Sequence, residues 1–361
     1  MLLQQYELAQ LGWDDELSAA FAAHGNDGAV PARVAVQHRS EYRLYAESGE
    51  LRGELAGRVR HEAGWRTALL PAVGDWVVAE VHGDLAVITG VLPRRTEFVR
   101  KAASGSNTTA AQVVAANVDT VFVTASLNIE VADAFLRRLE RYLALAWESG
   151  AQPVIVLTKS DLAGDVAEAV ALVETIAYGV PVHALSSVTG EGVEAVLGYA
   201  APGRTVALLG SSGVGKSTLI NRLAGSELLA TREIRADGVG RHTTTHRELV
   251  VLSGGGLLLD TPGMRELQLW DANAGAGATF ADVEELAAEC RFNDCSHEQE
   301  PGCAVREAIG DGTLPADRFT SYRKLQRELR ALEIRQSARL QSEVTKEYRR
   351  RARANRRDFG W

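Results

Sequence analysis

The polar and apolar positions of this chain follow three rhythms in succession. Residues 1–30 carry a helical lead-in, "MLLQQYELAQLGWDDELSAAF", that ends in the turn-rich stretch "HGNDGAVP". From Ala32 to about Leu92 the apolar positions come in short runs rich in Val, Leu and Tyr: "ARVAVQHR", "EYRLYAES", "GELAGRVRH", "DWVVAEV" and "LAVITGVL". Turn signals such as "SGE", "EAG" and "HGD" separate them, so the spacing predicts five short strands. Five strands in so short a span fit a small barrel of the OB or SH3-like kind. Such a barrel is either a plain β-domain or an oligonucleotide-binding one.

A polar stretch, "KAASGSNTTAAQ" (101–112), reads as a linker, and after it strand and helix patterns alternate. The strands are "VDTVFVTAS", "PVIVLTKSD", "VPVHALSS" and "TVALLG". The helices are "ADAFLRRLERYLALAWESG", with Phe135, Leu139, Tyr142, Leu143 and Ala146 on one face, then "DVAEAVALVETIAYG" and "KSTLINRLAG". "RELVVLSGGGLLLDTPG" adds a hairpin or two more strands. The alternation predicts a mostly parallel sheet with helices on both faces. After Asp282 the pattern is helical again, with Tyr322, Leu325, Leu329 and Leu332 at helical spacing. The expected divisions are a lead-in (1–31), a barrel (32–100), a linker (101–112), an α/β domain (113–275) and a helical domain with a tail (276–361).

Chemistry concentrates at the ends of the α/β strands. Gly210-Ser211-Ser212-Gly213-Val214-Gly215-Lys216-Ser217, followed by Thr218, satisfies G-x-x-x-x-G-K-[ST] between an apolar strand and a helix. The glycines let backbone amides wrap a phosphate. Lys216 is placed to reach the β- and γ-phosphates, and the Ser217 hydroxyl to ligate Mg²⁺. The loop leaves ATP and GTP both open. Thr158-Lys159-Ser160-Asp161 follows a buried strand and approximates N-K-x-D, in which the Asp carboxylate accepts two hydrogen bonds from guanine. Thr158 stands where Asn is usual, so an amide that braces the loop is missing. Ser186 and Ser187, in "ALSSVTGEG", are placed to brace the base from the other side.

Asp260-Thr261-Pro262-Gly263 fits D-x-x-G. Asp260 would hold Mg²⁺ and the Gly263 amide would sense the γ-phosphate. "DGVGRHTTTHREL" between the two loops has the make-up of a first switch region, and among Thr243, Thr244 and Thr245 the reading takes Thr244 as the Mg²⁺ ligand. The usual water-orienting Gln after the D-x-x-G glycine is replaced by Met264, which predicts slow intrinsic hydrolysis completed by a partner. His242 is either a water-orienting group or an exposed loop histidine.

The order of these motifs is guanine motif, bracing loop, phosphate loop, first switch, second switch: a circular permutation of the Ras-type order. With "AANVDTVFVTASLN", "RRLERYLALA", "LLGSSGVGKSTLIN", "GRHTTTHREL" and "LLLDTPGMREL", the chain resembles the ribosome small-subunit-dependent GTPase A family over roughly residues 30–340. The resemblance implies an α/β fold: a circularly permuted P-loop GTPase domain, an N-terminal small OB-like β-barrel and a C-terminal helical zinc-binding domain. It also implies the 30S ribosomal subunit as the partner that completes the site. The permutation runs the segment after "DTPG" directly into the C-terminal domain, a route by which switch movement would be passed on.

The three cysteines all fall in one cluster, Cys290-x₄-Cys295-x-His297-x₅-Cys303. Three thiolates and one imidazole make a complete tetrahedral set for one structural Zn²⁺, with no position left for water. The net charge is −8, yet Arg318 to Arg357 carries fourteen Lys/Arg against four Glu. Arg349, Arg350, Arg351, Arg353, Arg356 and Arg357 therefore form either a ribosomal RNA contact or a solvated helix end. No apolar run approaches the ~20 residues of a membrane span, and no signal peptide is read at the start. Together with what the resemblance implies, the expectation is a cytoplasmic, monomeric GTP hydrolase with Mg²⁺, taking GTP to GDP as a late assembly factor of the 30S subunit in contact with 16S rRNA. The alternative is a nucleotide-gated RNA-binding module in which hydrolysis only sets release.

Overall fold

The computed structural model describes residues 5–24, 28–38, 41–63, 67–101, 111–129, 131–225, 248–260 and 273–336. The lead-in is a 3-10 turn, Leu8–Leu11, followed by α1 (Asp15–Ala22). Asp14 caps α1, its carboxylate accepting from the Leu17 amide at 3.1 Å.

Five strands then close a barrel: β1 (Ala29–His38), β2 (Glu41–Ala46), β3 (Gly49–Leu55), β4 (Trp76–His82) and β5 (Leu85–Val91). β1 pairs with both β2 and β4, and β3 runs parallel to β5. Strict alternation along β3 turns Leu51 inward among Val34, Leu44, Ala79 and Ile88 and leaves Arg52 outside. The stretch "GRVRH", read as the end of a strand, is instead part of α2 (Gly57–Ala63). Val59 and Ala63, four residues apart, are both buried, so helical spacing accounts for the apolar positions that follow Leu55.

The expected linker also has ordered ends: β6 (Glu97–Lys101) pairs antiparallel with β7 (Ala111–Ala116). Phe98, Val113 and Val114 are buried there. The run "QVVAA" was too short and too Ala-rich to stand out as a strand.

The α/β part follows in chain order. It comprises β8 (Thr120–Ser126), α3 (Asp133–Glu148), β9 (Gln152–Thr158), α4 (Val166–Glu174), β10 (Val182–Ala184), α5 (Glu194–Leu197), β11 (Thr205–Leu209), α6 (Lys216–Ala224), β12 (Glu248–Val251) and β13 (Leu257–Asp260). The strand order is β10-β9-β8-β11-β13-β12, parallel except for β12, which forms a hairpin with β13. β8 is buried along its whole length, as a central strand covered on both faces must be. α3 and α4 pack on one face and α5 and α6 on the other.

The barrel and the α/β sheet are continuous. β1 pairs with β12 at Val36 and Glu248, giving, among the described residues, one eleven-stranded sheet. Beside that seam Arg43 pairs with Glu248. Deeper in, fully buried Arg33 donates to the carbonyls of Leu11, Gly74 and Asn117 and to the Thr205 hydroxyl. It thus ties the lead-in and the barrel to the start of β11. Burial lowers its pKa to about 10.

The C-terminal part is α7 (Asn273–Thr279), α8 (Ala281–Ala288), α9 (Ala304–Asp311) and α10 (Ala316–Gln336). Phe280, Val283, Val305, Leu314, Leu325 and Leu329 form its core. Leu325 and Leu329 come from the helical face read in the sequence, with Tyr322 and Leu332 partly buried beside them. The domain docks on α3. Gly275 approaches Ala144 so closely that a Cβ there would lie 2.0 Å from the Ala144 carbonyl oxygen. The division expected at 275/276 falls inside α7. Among the described residues no helix is long and apolar enough to cross a membrane.

Candidate nucleotide site and metal centre

The parallel strands deliver their C-terminal ends to one edge of the sheet, where open α/β folds bind ligands. β11 leads into Gly210 and β13 ends at Asp260, with Ala207 paired to Leu259. β9 ends at Thr158, paired to Ser126 of β8, and β10 leads into Ser186 and Ser187. The topology therefore brings the phosphate loop, Asp260, the T-K-S-D motif and the bracing loop to one rim, although they are scattered along the sequence. Thr244, Gly263 and His242, with Met264 and the arginine tail, lie outside the described residues.

The phosphate loop is shaped by its glycines. A Cβ on Gly210 would sit 2.3 Å from the Thr124 carbonyl oxygen, so only glycine fits where the chain leaves β11. Gly213 and Gly215 have φ of 79° and 98°, in the left-handed region. Gly215 precedes α6, whose N-terminus is Lys216, followed by Ser217 and Thr218. The Lys216 ammonium donates to the carbonyls of Gly210 (2.7 Å) and Ser211 (2.6 Å). Ser212 and Gly213 are exposed at the loop tip, and Val214 is buried beneath it.

Thr158 gives the most informative departure from the sequence reading. It is 1% exposed, and its hydroxyl faces two carbonyls, Ala125 at 3.1 Å and Val214 of the phosphate loop. The brace expected to be missing for want of an Asn amide is supplied by the Thr hydroxyl. Lys159, at φ 59°, reaches the same loop and donates to the Gly213 carbonyl at 2.8 Å. Asp161 is exposed at the rim, free of any burial cost before a base arrives.

The two bracing serines differ. Ser186 is fully buried and its hydroxyl accepts from the Thr189 amide at 3.1 Å, closing its own loop. The Ser187 hydroxyl is buried without a hydrogen-bond partner, and so is that of Ser160. Two unpaired hydroxyls in the loops that carry the base motif are the sort of orphaned groups that a bound ligand satisfies.

Sequence reasoning missed Tyr142. Its apolar spacing on α3 placed it among core residues, but its phenol oxygen lies 3.1 Å from the Ser211 hydroxyl of the phosphate loop.

In the C-terminal domain, the ligand atoms of Cys290, Cys295, His297 and Cys303 all lie within 4.8 Å of one another. His297 Nδ1 is 3.5 Å from the Cys290 sulfur and 3.4 Å from that of Cys303, and those two sulfurs are 3.9 Å apart. His297 takes φ 59° to reach in, and Phe319 of α10 meets its ring edge-on. This set can hold a metal ion.

A parallel α/β sheet with a P-loop, a guanine-type motif upstream of it and a barrel joined ahead defines a circularly permuted P-loop GTPase. Comparison with known proteins agrees: the family model described as RsgA GTPase matches residues 91–270. A small ribosomal subunit biogenesis GTPase RsgA from Opitutus terrae is 50% identical over 333 residues, covering 89% of each chain. That from Streptomyces coelicolor is 47% identical over 348 residues, covering 95% of this chain and 92% of its own. The chain belongs to the RsgA GTPase family. The crystal structure of YjeQ from Thermotoga maritima superposes with a TM-score of 0.63 at 28% identity, over 83% of this chain and 98% of that one. YloQ, described as a circularly permuted GTPase, shares the fold with a TM-score of 0.61 at 24% identity, over 85% of this chain and 97% of that one.

Proposed function

We propose that this GTP hydrolase serves the biogenesis of the small (30S) ribosomal subunit, contacts 16S rRNA and is stimulated by the ribosome. The observation that carries the nucleotide part is the convergence of the phosphate loop with the T-K-S-D motif, which braces it through Thr158 and Lys159. The ribosomal part rests on relatives of matching length that are named for that role. Family membership favours this catalytic reading over a module in which hydrolysis only sets release.

In this reading Asp161 pairs with guanine and the Ser187 hydroxyl completes the base pocket, while Ser186 holds the loop that carries it. The amides of 210–218 and Lys216 take the phosphates. Ser217, Thr244 and Asp260 would hold Mg²⁺, which would supply neutralisation of the negative charge on the phosphates. Gly263 senses the γ-phosphate. With Met264 unable to orient water, the site awaits a partner, and His242 is the candidate within this chain.

Zinc suits the C-terminal centre. In a tetrahedral site with Zn–S of ~2.3 Å and Zn–N of ~2.0 Å, donors lie about 3.5–3.8 Å apart, close to the separations of Cys290, Cys303 and His297. Four protein ligands leave no open position, so the ion is structural. The protein is then cytoplasmic and monomeric, with the barrel and the arginine tail facing RNA. Co-sedimentation with purified 30S subunits tests this: retention with a non-hydrolysable GTP analogue and release with GDP are expected. Equal sedimentation in both states, or none, would refute it.

A further inference from the structure

We propose that Tyr142 is a positioning residue for the phosphate loop, and that α3 carries the docking of the C-terminal domain to that loop through it. The inference rests on the reading of residues 210–218 as the phosphate site.

Ser211 is the first residue beyond Gly210, where the chain turns off β11. On one side Gly210 is pressed against the Thr124 backbone. On the other, the half-buried Tyr142 phenol meets the Ser211 hydroxyl at 3.1 Å, either group donating. The far part of the loop is held separately, by Thr158 at Val214 and Lys159 at Gly213. The near part is held by Tyr142 and by Lys216, which donates to the Gly210 and Ser211 carbonyls. When Lys216 turns to phosphate oxygens it gives up those carbonyls. Among the described residues, the Tyr142–Ser211 bond then remains as a side-chain tie on the start of the loop, beside the Thr124 hydroxyl that donates to the Leu209 carbonyl at 2.9 Å.

The same helix is the platform for the C-terminal domain. Buried Glu140 accepts from Arg318 at 2.8 Å, and Arg318 also pairs with Asp282 at 2.9 Å and lies 4.2 Å over the Phe280 ring. Burial pushes the Glu140 carboxyl up from the usual range, and the Arg318 charge opposes that. The Glu148 carboxylate accepts from the Gly275 amide at 3.0 Å, and Arg141 pairs with Glu328. A shift of the C-terminal domain therefore moves α3, and α3 holds Ser211, by a route that does not pass through the switch segments.

The test uses the full chain as wild type, Tyr142→Phe, Ser211→Ala and the double variant. Affinities for fluorescent GDP and a non-hydrolysable GTP analogue, and kcat and KM for GTP, are measured. Each single change removes one hydrogen bond of ordinary strength and is expected to weaken analogue binding about three- to tenfold. The double variant is expected to be no weaker than the weaker single, because both remove the same tie. Unfolding midpoints and GTP-over-ATP selection stay at wild-type values. Glu140→Gln is expected to weaken analogue binding when Tyr142 is present and to add nothing in Tyr142→Phe. Lys216→Ala separates the two readings. If it binds nucleotide as wild type does, the phosphate-site reading itself fails. If it loses binding while Tyr142→Phe binds normally, or if the two single effects add, the role of Tyr142 is overturned. Equal effects of Glu140→Gln in both backgrounds overturn the α3 route.

Discussion

Replacing Thr158 by Val tests whether the unusual first letter of the guanine motif braces the phosphate loop. The new side chain keeps the shape of Thr and removes only the hydroxyl. That hydroxyl is buried and serves Ala125 in β8 and Val214 in the loop. Losing one such bond costs roughly 0.5–1.5 kcal/mol, and an acceptor left buried without a partner raises the cost to roughly 1–3 kcal/mol. The loop must hold one conformation to close on phosphate, so a substantial share of that cost falls on binding. Affinity for GDP and for GTP should drop about tenfold, equivalent to about 1.4 kcal/mol. Thr158→Asn should match or exceed wild type. One hydroxyl hydrogen can serve one carbonyl at a time, whereas an Asn amide offers two N–H donors, one for each. The assay is equilibrium titration of a fluorescent guanine nucleotide at fixed Mg²⁺, with ATP competition alongside. Binding by the Thr158→Val variant within about twofold of wild type, where about tenfold is expected, would refute the brace. So would a loss of guanine selection in place of affinity, because base choice is assigned to Asp161.

Asp161→Ala should lower the preference for GTP over ATP by roughly two orders of magnitude or more, read by competition binding; an unchanged preference would move the guanine contact elsewhere. Cys303→Ser should reduce metal content from one ion per chain toward none and loosen α8–α10, read by elemental analysis and amide exchange. Arg33→Met strands the acceptors at Leu11, Gly74, Asn117 and Thr205, and should destabilise the fold by roughly 1–3 kcal/mol in denaturant titration, the cost of buried acceptors left without a donor. Truncation after Gln341 should weaken 30S binding and flatten its salt dependence, and unchanged affinity at every salt concentration would leave the arginines without that role.

Features that depend on neighbouring residues were legible in the sequence. The phosphate loop needs its glycines, Lys216 and Ser217 within one strand–helix junction, and the metal set needs four soft ligands in one short stretch. Both motifs carry their geometry in their spacing. The near-continuous apolar run of β8 likewise announces its environment, whereas β3 (Gly49–Leu55) begins inside "SGE", which reads as a turn. What escaped depends on residues far apart in the chain. Arg33 reads as a surface-type residue in a strand, and only its position between the barrel and Thr205 makes it a buried tie. Tyr142 satisfies a helical apolar face, and that pattern says nothing of where its hydroxyl points. Thr158 looked like a weakened motif because the sequence does not show that two carbonyls converge on it. The stretch "GRVRH" carries Val and Arg in alternation as a strand would, and the burial of Val59 with Ala63 decides for a helix.

In the proposed function the GTPase site is incomplete until the small subunit supplies what Met264 cannot. The most direct measurement is the rate of GTP hydrolysis by the full chain alone and with equal concentrations of 30S, 50S and 70S particles. Slow turnover alone and strong stimulation by 30S subunits, well above any given by 50S, are expected. Full-speed hydrolysis without ribosomes, or equal stimulation by 30S and 50S particles, would contradict that proposal.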